Sequence, residues 1–344
     1  MIGSFISLSR GIFVAIVLVC LASGQDDGTG LCALYNQQSA EVKATLVNWD
    51  CTASPVLPCD GTSWTGVGCA EGLVTTLDLP SKSLKGTLPT EFGLMKGLQY
   101  LSLFRNSLEG SLPTELGLLT GLSQLELWVN SLEGSFPAEL GFLTDLQYLD
   151  LNSNSLEGSL PSEFGLMTGL QNLLLNHNSF TSSVPSSLGQ LTGLQTLDLN
   201  SNSLEGTLPS EFWLMTGLRY LSLFRNSLEG SLPTELGLLT GLTQLQLWLN
   251  SLEGSLPAEL GFLTDLQNLD LYGNSLEGSL PAELGLLTDL QNLDLGINSL
   301  EGSLPSELGL LTRLQNLLLN DNSFTSSVPS SFCNFTTSID LRLQ

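Results

Sequence analysis

The amino-acid sequence predicts the α/β fold class, as a curved solenoid of stacked coils with a parallel β-sheet on its concave face and short helical or 3-10 segments on its convex face. Everything after residue 73 repeats with a period of 24 residues and without an insertion. Leu alternates with polar residues at the start of each repeat, as in a strand. One coil cannot bury its own Leu face, so the repeats have to stack on one another.

The composition limits the classes of function. The chain has 344 residues, with 34 Asp and Glu against 10 Lys and Arg, one His, a formal net charge of -24 and 42% hydrophobic residues. That apolar content is too high for a disordered acidic tail. The negative charge repels nucleic-acid phosphates, and a single His argues against His-dependent catalysis and His-based metal sites.

Residues 1–24 have the pattern of a secretory signal peptide. Arg10 provides the positive charge, residues 12–22 form an apolar run, and Ala22-Ser23-Gly24 is a small-residue cleavage site. The run is shorter than the about 20 residues of a transmembrane helix, and no second run of spanning length follows. We therefore expect a secreted mature chain without a membrane span; the alternative is a chain tethered to the membrane by an uncleaved signal anchor.

Cleavage leaves five of the six cysteines, and export makes their pairing expected. Cys32, Cys51, Cys59 and Cys69 cluster near the N-terminus, whereas Cys333 has no obvious partner. Two local disulfides, Cys32–Cys51 and Cys59–Cys69, are the economical prediction, although four cysteines permit three pairings.

Eleven complete repeats span residues 74–337, and residues 338–344 begin a twelfth. Their frame is L-x-x-L-x-L-x-x-N-S-L-x-G-x-L-P-x-E-L-G-x-L-T-x. In residues 98–121, Leu101 and Leu103 are predicted to point inward and Tyr100 and Ser102 outward. Asn106 heads a column of amides that can satisfy backbone groups where each coil turns.

The second half of the frame predicts a bend followed by a short helical segment. Gly110 permits a bend that a side chain would obstruct. Pro113 and Glu115 favour a helical start, since Pro is tolerated in the first turn and Glu stabilises the positive end.

The repeats also fall into duplicated blocks. Residues 98–121 and 218–241 are identical except for Gln99 and Arg219, and the next two repeats match at the same offset of 120 residues. Matching residues in the two copies are therefore not independent evidence of function.

This pattern resembles the plant-type leucine-rich-repeat family of receptor ectodomains and secreted recognition proteins. The L-x-G-x-L-P segment is the family's mark, with Leu, as at Leu112, where many members have Ile. Asn48-Trp49 and the segment from Cys59 through Trp64-Thr65-Gly66-Val67-Gly68-Cys69 resemble the family's disulfide-bonded N-terminal cap. The resemblance supports the Cys59–Cys69 pairing and implies that residues 25–73 shield the apolar end of the first coil.

The C-terminal end departs from the family pattern. Ectodomains of the family usually close with a cap that contains a Cys pair, and receptor members continue into a transmembrane helix. Here Cys333 stands alone in this region, and the sequence ends at Gln344, inside a predicted strand. The sequence is either a short secreted module or part of a longer protein.

The outward positions of the strands are the expected ligand-binding surface. Exposed aromatic rings beside Arg are typical of protein-interaction hot spots, and such rings also stack on sugars; the structural alternative is cross-strand packing that shields the sheet. The predicted ligand-binding residues on the concave face are Tyr100, Phe104, Arg105, Trp128, Tyr148, Tyr220, Phe224, Arg225, Trp248 and Tyr272.

We expect a non-catalytic recognition module that binds an extracellular protein, peptide or glycan, with a role in signalling or defence. The resemblance also implies an alternative, an inhibitor of a cell-wall-degrading enzyme like the family's polygalacturonase-inhibiting proteins. Regular Asn, Ser and Thr columns suggest a further alternative, an ice-binding or structural surface protein. The sequence has no Ser/His/Asp or Cys/His frame for an enzyme and implies no cofactor. Asn334-Phe335-Thr336 is the single glycosylation sequon.

The acidic residues are concentrated in two columns. Of the 34 Asp and Glu, 17 are Glu at the repeat positions of Glu109 and Glu115. Like charges about 5 Å apart in water repel by slightly under ~1 kcal/mol per pair before screening. We therefore expect salt or Ca²⁺ to stabilise the fold.

Overall fold

The structure, a computed structural model, describes residues 26–61, 63–325, 328–334 and 340–342, with the backbone alone for Asn334 and the last segment. The predicted signal peptide, residues 1–24, lies outside the described residues. The chain divides into two compact units, Met1–Ser155 and Leu156–Gln344.

The first unit begins with a disulfide-bonded segment of two helices. These helices span residues 26–36 and Ala40–Thr45, and the Ser39 hydroxyl accepts a hydrogen bond from the backbone N of Val42 to cap the second. Disulfides join Cys32 to Cys51 and Cys59 to Cys69, the pairing that the sequence favours. Leu31 and Leu34 are fully buried, so the helices contribute to the core of the first unit.

The same segment completes two strand edges of the first unit. The strand Val67–Ala70 pairs antiparallel with Leu73–Asp78. Gln38 accepts a hydrogen bond from the Lys85 N–H at 2.8 Å and donates to the Lys85 carbonyl at 2.9 Å, and Gln37 bonds Thr87 in the same way at 2.7 and 3.1 Å. Open strand edges invite pairing with other chains, and here side-chain amides take the place of a missing strand.

Each repeat contributes a short strand to parallel pairing with an offset of 24 residues, such as Tyr100 beside Gln124. Leu101 and Leu103 are fully buried, as predicted. We call the opposite side of these strands, which carries Tyr100, Ser102, Phe104 and their equivalents, the strand face. These strands are Leu73–Asp78, Tyr100–Ser102, Gln124–Glu126 and Tyr148–Asp150 in the first unit and Asn172–Leu174, Thr196–Asp198, Tyr220–Ser222, Gln244–Gln246, Asn268–Asp270, Asn292–Asp294, Asn316–Leu318 and Asp340–Arg342 in the second.

A second set of parallel strands follows the Asn of each repeat, and it is not among the elements predicted from the sequence. Its signal is an alternation in which Leu108 is buried between exposed Ser107 and Glu109. The strands of this set are Lys85–Thr87, Ser107–Gly110 and Ser131–Ser135 in the first unit, Ser155–Ser159 at the boundary, and Ser179–Ser182, Ser203–Thr207, Ser227–Ser231, Ser251–Gly254, Ser275–Gly278, Ser299–Gly302 and Ser323–Phe324 in the second.

The register of this second set changes the spacing of one Glu column. Its strands pair with an offset of 22 residues, so Glu109 lies beside Ser131 and Glu229 beside Ser251. The Glu of the next strand lies two residues further along, which places it about 8 Å away rather than about 5 Å. The repulsion expected from the sequence is therefore too large for this column.

Each repeat contains a short 3-10 turn, as predicted. Pro113, with a φ of -72°, precedes the turn Thr114–Leu118, and Gly110 makes the preceding bend with a φ of +74°. A Cβ on Gly117 would lie 2.3 Å from the Glu139 carbonyl oxygen, so glycine permits the close approach of the next turn. The turns are Thr90–Leu94, Thr114–Leu118 and Ala138–Phe142 in the first unit and Ser162–Leu166, Ser186–Gln190, Ser210–Leu214, Thr234–Leu238, Ala258–Phe262, Ala282–Leu286, Ser306–Leu310 and Ser330–Asn334 in the second.

The Asn column forms a ladder of backbone hydrogen bonds. Asn250 Nδ2 donates to the carbonyls of Leu223 and Leu247, both at 3.0 Å, and its Oδ1 accepts from Leu228 N at 3.0 Å. Asn106 bonds the backbone of its own and the preceding repeat in the same way. One amide thus satisfies backbone groups of two coils at once.

Both units therefore have the predicted leucine-rich-repeat solenoid fold. In the part of the chain that the structure describes, no helix is long and apolar enough to cross a membrane. Cys333 is exposed and forms no disulfide among the described residues. Phe335 and Thr336 of the sequon, and the Asn334 side chain, lie outside them.

Candidate binding site on the strand face

The first unit carries an aromatic stack on its strand face. The rings of Phe104 and Trp128 are parallel within 9°, with centroids 4.3 Å apart. The guanidinium carbon of Arg105 lies 4.9 Å from the centroid of the Trp128 ring, a cation–π distance. Phe104 and Trp128 are half-buried and Arg105 is exposed. The rings thus shield the sheet and still present surface to solvent.

The second unit repeats this arrangement. Phe224 and Trp248 stack at 4.2 Å and 12°, and Arg225 lies 5.0 Å from the Trp248 ring. Both Arg residues have left-handed backbones, with φ of 53° at Arg105 and 52° at Arg225. Tyr272, also a predicted ligand-binding residue, lies one strand further along and makes no ring contact with Trp248 among the described residues.

Tyr and acidic residues form a second group on the strand face of the first unit. The Tyr100 hydroxyl donates to Glu126 Oε1 at 3.4 Å, and the Tyr148 hydroxyl donates to Asp150 Oδ2 at 3.4 Å. Asp150 also accepts hydrogen bonds from the backbone and side chain of Asn152. The structure thus joins two predicted residues, Tyr100 and Tyr148, to carboxylates that the sequence analysis did not select.

Burial perturbs these acids. Only 4% of Asp150 is exposed, and desolvation raises its pKa to about 6 despite the hydrogen bonds from Asn152. Desolvation also raises the pKa of Glu126 and, with the nearby Asp150 charge, the pKa of Tyr148 to about 12. At neutral pH the two carboxylates hold negative charge in a partly dehydrated surface, whereas the Tyr148 hydroxyl stays protonated.

Ser102 lies on the outward side of its strand, as predicted, between Asp78 and Glu126 in the register, but it is fully buried. A small side chain between larger ones is covered by them. Ser222, its equivalent in the second unit, is also fully buried.

The second unit has a variant of this group, in which Gln246 stands at the position of Glu126 and Asp270 lies beside Asp294. The Tyr220 hydroxyl donates to Gln246 Oε1 at 3.2 Å, in the place of the Tyr100–Glu126 bond. Asn200 donates to the Ser222 hydroxyl at 3.3 Å. Asp270 accepts a hydrogen bond from the backbone N of Tyr272, and burial raises the pKa of Asp270 to about 6.

No metal site accompanies these acids in the described residues. They contain no group of three or more His, Cys, Asp or Glu side chains that could hold a metal ion. The expectation of Ca²⁺ binding to the Glu columns therefore finds no structural support in this part of the chain.

Two family models, each described as a leucine-rich repeat, match the chain. One matches residues 168–228, and the other matches residues 97–119, 145–167, 265–287 and 313–335. These matches cover repeats in both units.

Solved structures of receptor proteins are similar to the chain. The ectodomain of the Arabidopsis receptor kinase HAESA, in complex with an extended IDA peptide hormone, is 33% identical with a TM-score of 0.79, over 94% of this chain and 53% of that one. A TDR receptor is 36% identical with a TM-score of 0.72, over 74% of this chain and 44% of that one. The chain thus spans about half the length of these receptor structures.

A plant ice-binding protein is also similar. It is 28% identical with a TM-score of 0.74, and the match covers 88% of this chain and 96% of that protein.

Proposed function

The chain belongs to the plant-type leucine-rich-repeat family, and from this premise we propose that it is a non-catalytic recognition module that binds an extracellular protein, peptide or glycan through its strand face. The observation that carries the proposal is the aromatic stack with an adjacent Arg, Phe104–Trp128–Arg105 and Phe224–Trp248–Arg225. Trp, Tyr and Arg are the residues most enriched at binding hot spots. The ten predicted ligand-binding residues remain the proposed contact surface.

Among the three ligand classes, a peptide has the best support. The HAESA ectodomain is in complex with a peptide hormone, and its match covers 94% of this chain. We place the protein outside the cell, in signalling or defence, on the strength of the predicted signal peptide, the disulfides and these relatives.

Panning tests the proposal. A phage library of random twelve-residue peptides would be selected on the folded protein, and the Kd of each recovered peptide measured for the wild type, Trp128→Ala and Trp248→Ala. We expect at least one of these variants to weaken binding by about tenfold or more, while circular dichroism shows an unchanged fold. Glu109→Gln, on the second set of strands, is the control that should bind like the wild type. If both Trp variants bind every recovered peptide with the same Kd as the wild type, the proposal is overturned.

Ice binding is a second candidate function, because the chain covers 96% of the plant ice-binding protein but only 44% and 53% of the two receptor structures. Exposed Ser107 and its equivalents recur on the second set of strands, although a Glu column runs beside them. Thermal hysteresis of the purified protein tests this function. A freezing point equal to the melting point would rule out ice binding as a function of this protein.

A further inference from the structure

We propose that the 3-10 turns of the second unit form a docking surface for an amphipathic helix of another protein, one whose apolar stripe is flanked by Lys or Arg. The surface is built from the last residue of successive turns. It is separate from the strand face, so the inference goes beyond the proposed function and does not depend on it.

Five successive turns of the second unit expose a large apolar side chain at their last position. We call this row the turn stripe, and the exposed fraction of its members ranges from 48% to 58%. The neighbouring Leu236 and Leu239 are fully buried, so the core is filled without the stripe. Exposed apolar patches rimmed by polar residues mark interaction sites on soluble proteins. The members of the turn stripe are Leu214, Leu238, Phe262, Leu286 and Leu310.

The turn stripe is continuous because glycine brings the turns together. A Cβ on Gly237 would lie 2.9 Å from the Glu259 carbonyl oxygen, and a Cβ on Gly261 would lie 2.6 Å from that of Glu283. A Cβ on Gly237 would also lie 3.1 Å from Cδ2 of Phe262, so that ring reaches the preceding turn. The apolar side chains of the stripe therefore adjoin one another from coil to coil.

An acidic row runs along the turn stripe. In each turn a Glu precedes the stripe residue by three positions, as Glu235 precedes Leu238. Side chains three residues apart in a 3-10 turn are eclipsed, so each Glu adjoins its stripe residue. The one ion pair recorded among the described residues, Arg313–Asp289, involves none of these Glu residues. The members of the acidic row are Glu211, Glu235, Glu259, Glu283 and Glu307.

The charge of the acidic row selects the occupant. A partner with Lys or Arg beside its own apolar stripe would meet the row with complementary charge. A second copy would instead bring the same acidic row and a net charge of -24 to the contact. An anionic lipid surface would repel the row in the same way. A basic amphipathic partner is therefore favoured over both.

The spacing favours a helix over an extended segment. Paired strands lie about 4.8 Å apart, so the coils present one apolar side chain about every 5 Å. An α-helix that lays its apolar face on a surface repeats about every 5.4 Å, whereas the side chains on one face of a strand repeat about every 6.8 Å. Five coils span about 20 Å, the length of a helix of about 14 residues.

The first unit has a shorter row at the same position. Leu94, Leu118 and Phe142 are between 40% and 58% exposed, and three coils span only about 10 Å. In the second unit, Gln190 separates Leu166 from the turn stripe. The longest run of exposed apolar side chains in the described turns is therefore the turn stripe, and tight docking should belong to it.

A designed helical peptide tests the inference. It has fourteen residues, with Leu at the a, d and e positions of the heptad and Lys elsewhere, and fluorescence anisotropy gives its Kd for the full chain in physiological salt. Leu238→Gln with Phe262→Gln should weaken binding by at least about tenfold, because central anchors dominate docking. Leu249→Gln with Ile297→Gln is the control beside the strand face. It removes side chains that are 41% and 44% exposed and should change the Kd by less than about twofold.

The fold should accept these substitutions, because Gln190 already occupies the last position of the turn Ser186–Gln190. Two further comparisons do not alter the apolar side chains. Glu235→Gln with Glu283→Gln should weaken the peptide about threefold, whereas Glu229→Gln with Glu253→Gln removes equal charge from the second set of strands and should have a smaller effect. The same fourteen residues, reordered so that Leu and Lys alternate as in a strand, should bind at least about tenfold more weakly.

Four outcomes would overturn the inference. The first is an equal Kd for the wild type and Leu238→Gln with Phe262→Gln. The second is equal binding of the reordered peptide, and the third is equal weakening by the two pairs of Glu variants, which would mean attraction to the net charge alone. The fourth is stripe-dependent dimers in light scattering, or stripe-dependent binding to phosphatidylcholine vesicles, without binding of the helical peptide. None of these outcomes decides the proposed function, whose test uses the Trp variants.

Discussion

The Phe104 ring lies parallel to the Trp128 indole, with their centroids 4.3 Å apart. The two rings belong to adjacent repeats, 24 residues apart in the chain. Because Phe224 and Trp248 adopt nearly the same geometry, the chain contains two copies of one contact in two sequence contexts.

A double-mutant cycle on Phe104→Ala and Trp128→Ala should give a coupling free energy of about 0.5–1.5 kcal/mol, the range for stacked aromatic pairs. Urea unfolding followed by circular dichroism measures it. The Phe224 and Trp248 pair should give the same value, since its rings are equally close. A coupling of zero in both cycles would mean that the stacks contribute nothing to stability beyond their separate burial.

Asn250→Ala should lower the free energy of unfolding by about 1–3 kcal/mol, because it leaves the Leu228 N–H of the half-buried ladder without a partner. The Leu223 and Leu247 carbonyls each lose one of their two amide donors and keep the other, from Asn226 and Asn274. Asn176→Ala is the matched control in the same unit. The Asn176 side chain lies on the strand face and makes no hydrogen bond in the described structure, so its loss should cost less than about 0.5 kcal/mol. Equal losses of unfolding free energy in the two variants would show that the ladder hydrogen bonds contribute no more to stability than a side chain on the strand face.

Asp27 should make the stability of the first unit depend on pH. It is 1% exposed, and burial raises its pKa to about 6 even though Val74 N donates to its Oδ2. Because the folded state holds this proton more tightly than the unfolded state, between pH 4 and 6 it binds more protons, and stability falls as the pH rises through that window.

Melting temperatures at pH 7.0 and 5.0 test this prediction. The wild type should gain more on acidification than Asp27→Asn, which cannot titrate. The difference between the two proteins isolates Asp27 from Asp150 and Asp270, whose raised pKa values act in the same direction. An identical pH response in both proteins would contradict the prediction.

Salt should raise the melting temperature through the Glu columns. In the second set of strands, neighbouring Glu residues lie about 8 Å apart, where a pair in water repels by about 0.5 kcal/mol before screening. Sodium chloride from 0.01 to 0.3 M should therefore stabilise the fold, and CaCl₂ at equal ionic strength should do at least as well. An unchanged melting temperature in both salts would refute this. A replacement of Glu229 and Glu253 by Gln should reduce the response.

Much of the fold follows from the sequence because one backbone geometry is repeated with a constant period. Leu101 and Leu103 are buried, Pro113 precedes a 3-10 turn, and Gly110 bends the chain, all as the frame predicts. The second set of strands was missed because its short Ser-Leu-Glu-Gly segment is too brief to distinguish from a turn. Its offset of 22 residues depends on how one coil is tilted against the next, which the period does not reveal.

The site was only partly predictable for a related reason. Alternation identifies the face on which Ser102 and Asp150 lie, but not what covers them. Their burial comes from the larger side chains on the neighbouring strands, and the raised pKa of Asp150 follows from that burial. The aromatic residues were easier to select, because rings of their size are conspicuous in a surface of small polar residues.

The Asn ladder also makes the chain susceptible to deamidation. Every ladder Asn is followed by Ser, as in Asn106-Ser107, and such amides can hydrolyse to carboxylates when the backbone is free to attack them. In the folded chain the Ser107 N–H is bonded to the Leu84 carbonyl at 2.8 Å, which holds it in place. An Asp at residue 106 would set a carboxylate against the Leu79 and Leu103 carbonyls, which now accept hydrogen bonds from the amide. The ladder therefore resists deamidation only while it is intact. A single deamidated Asn would loosen two coils and hasten deamidation of the neighbouring ladder Asn residues.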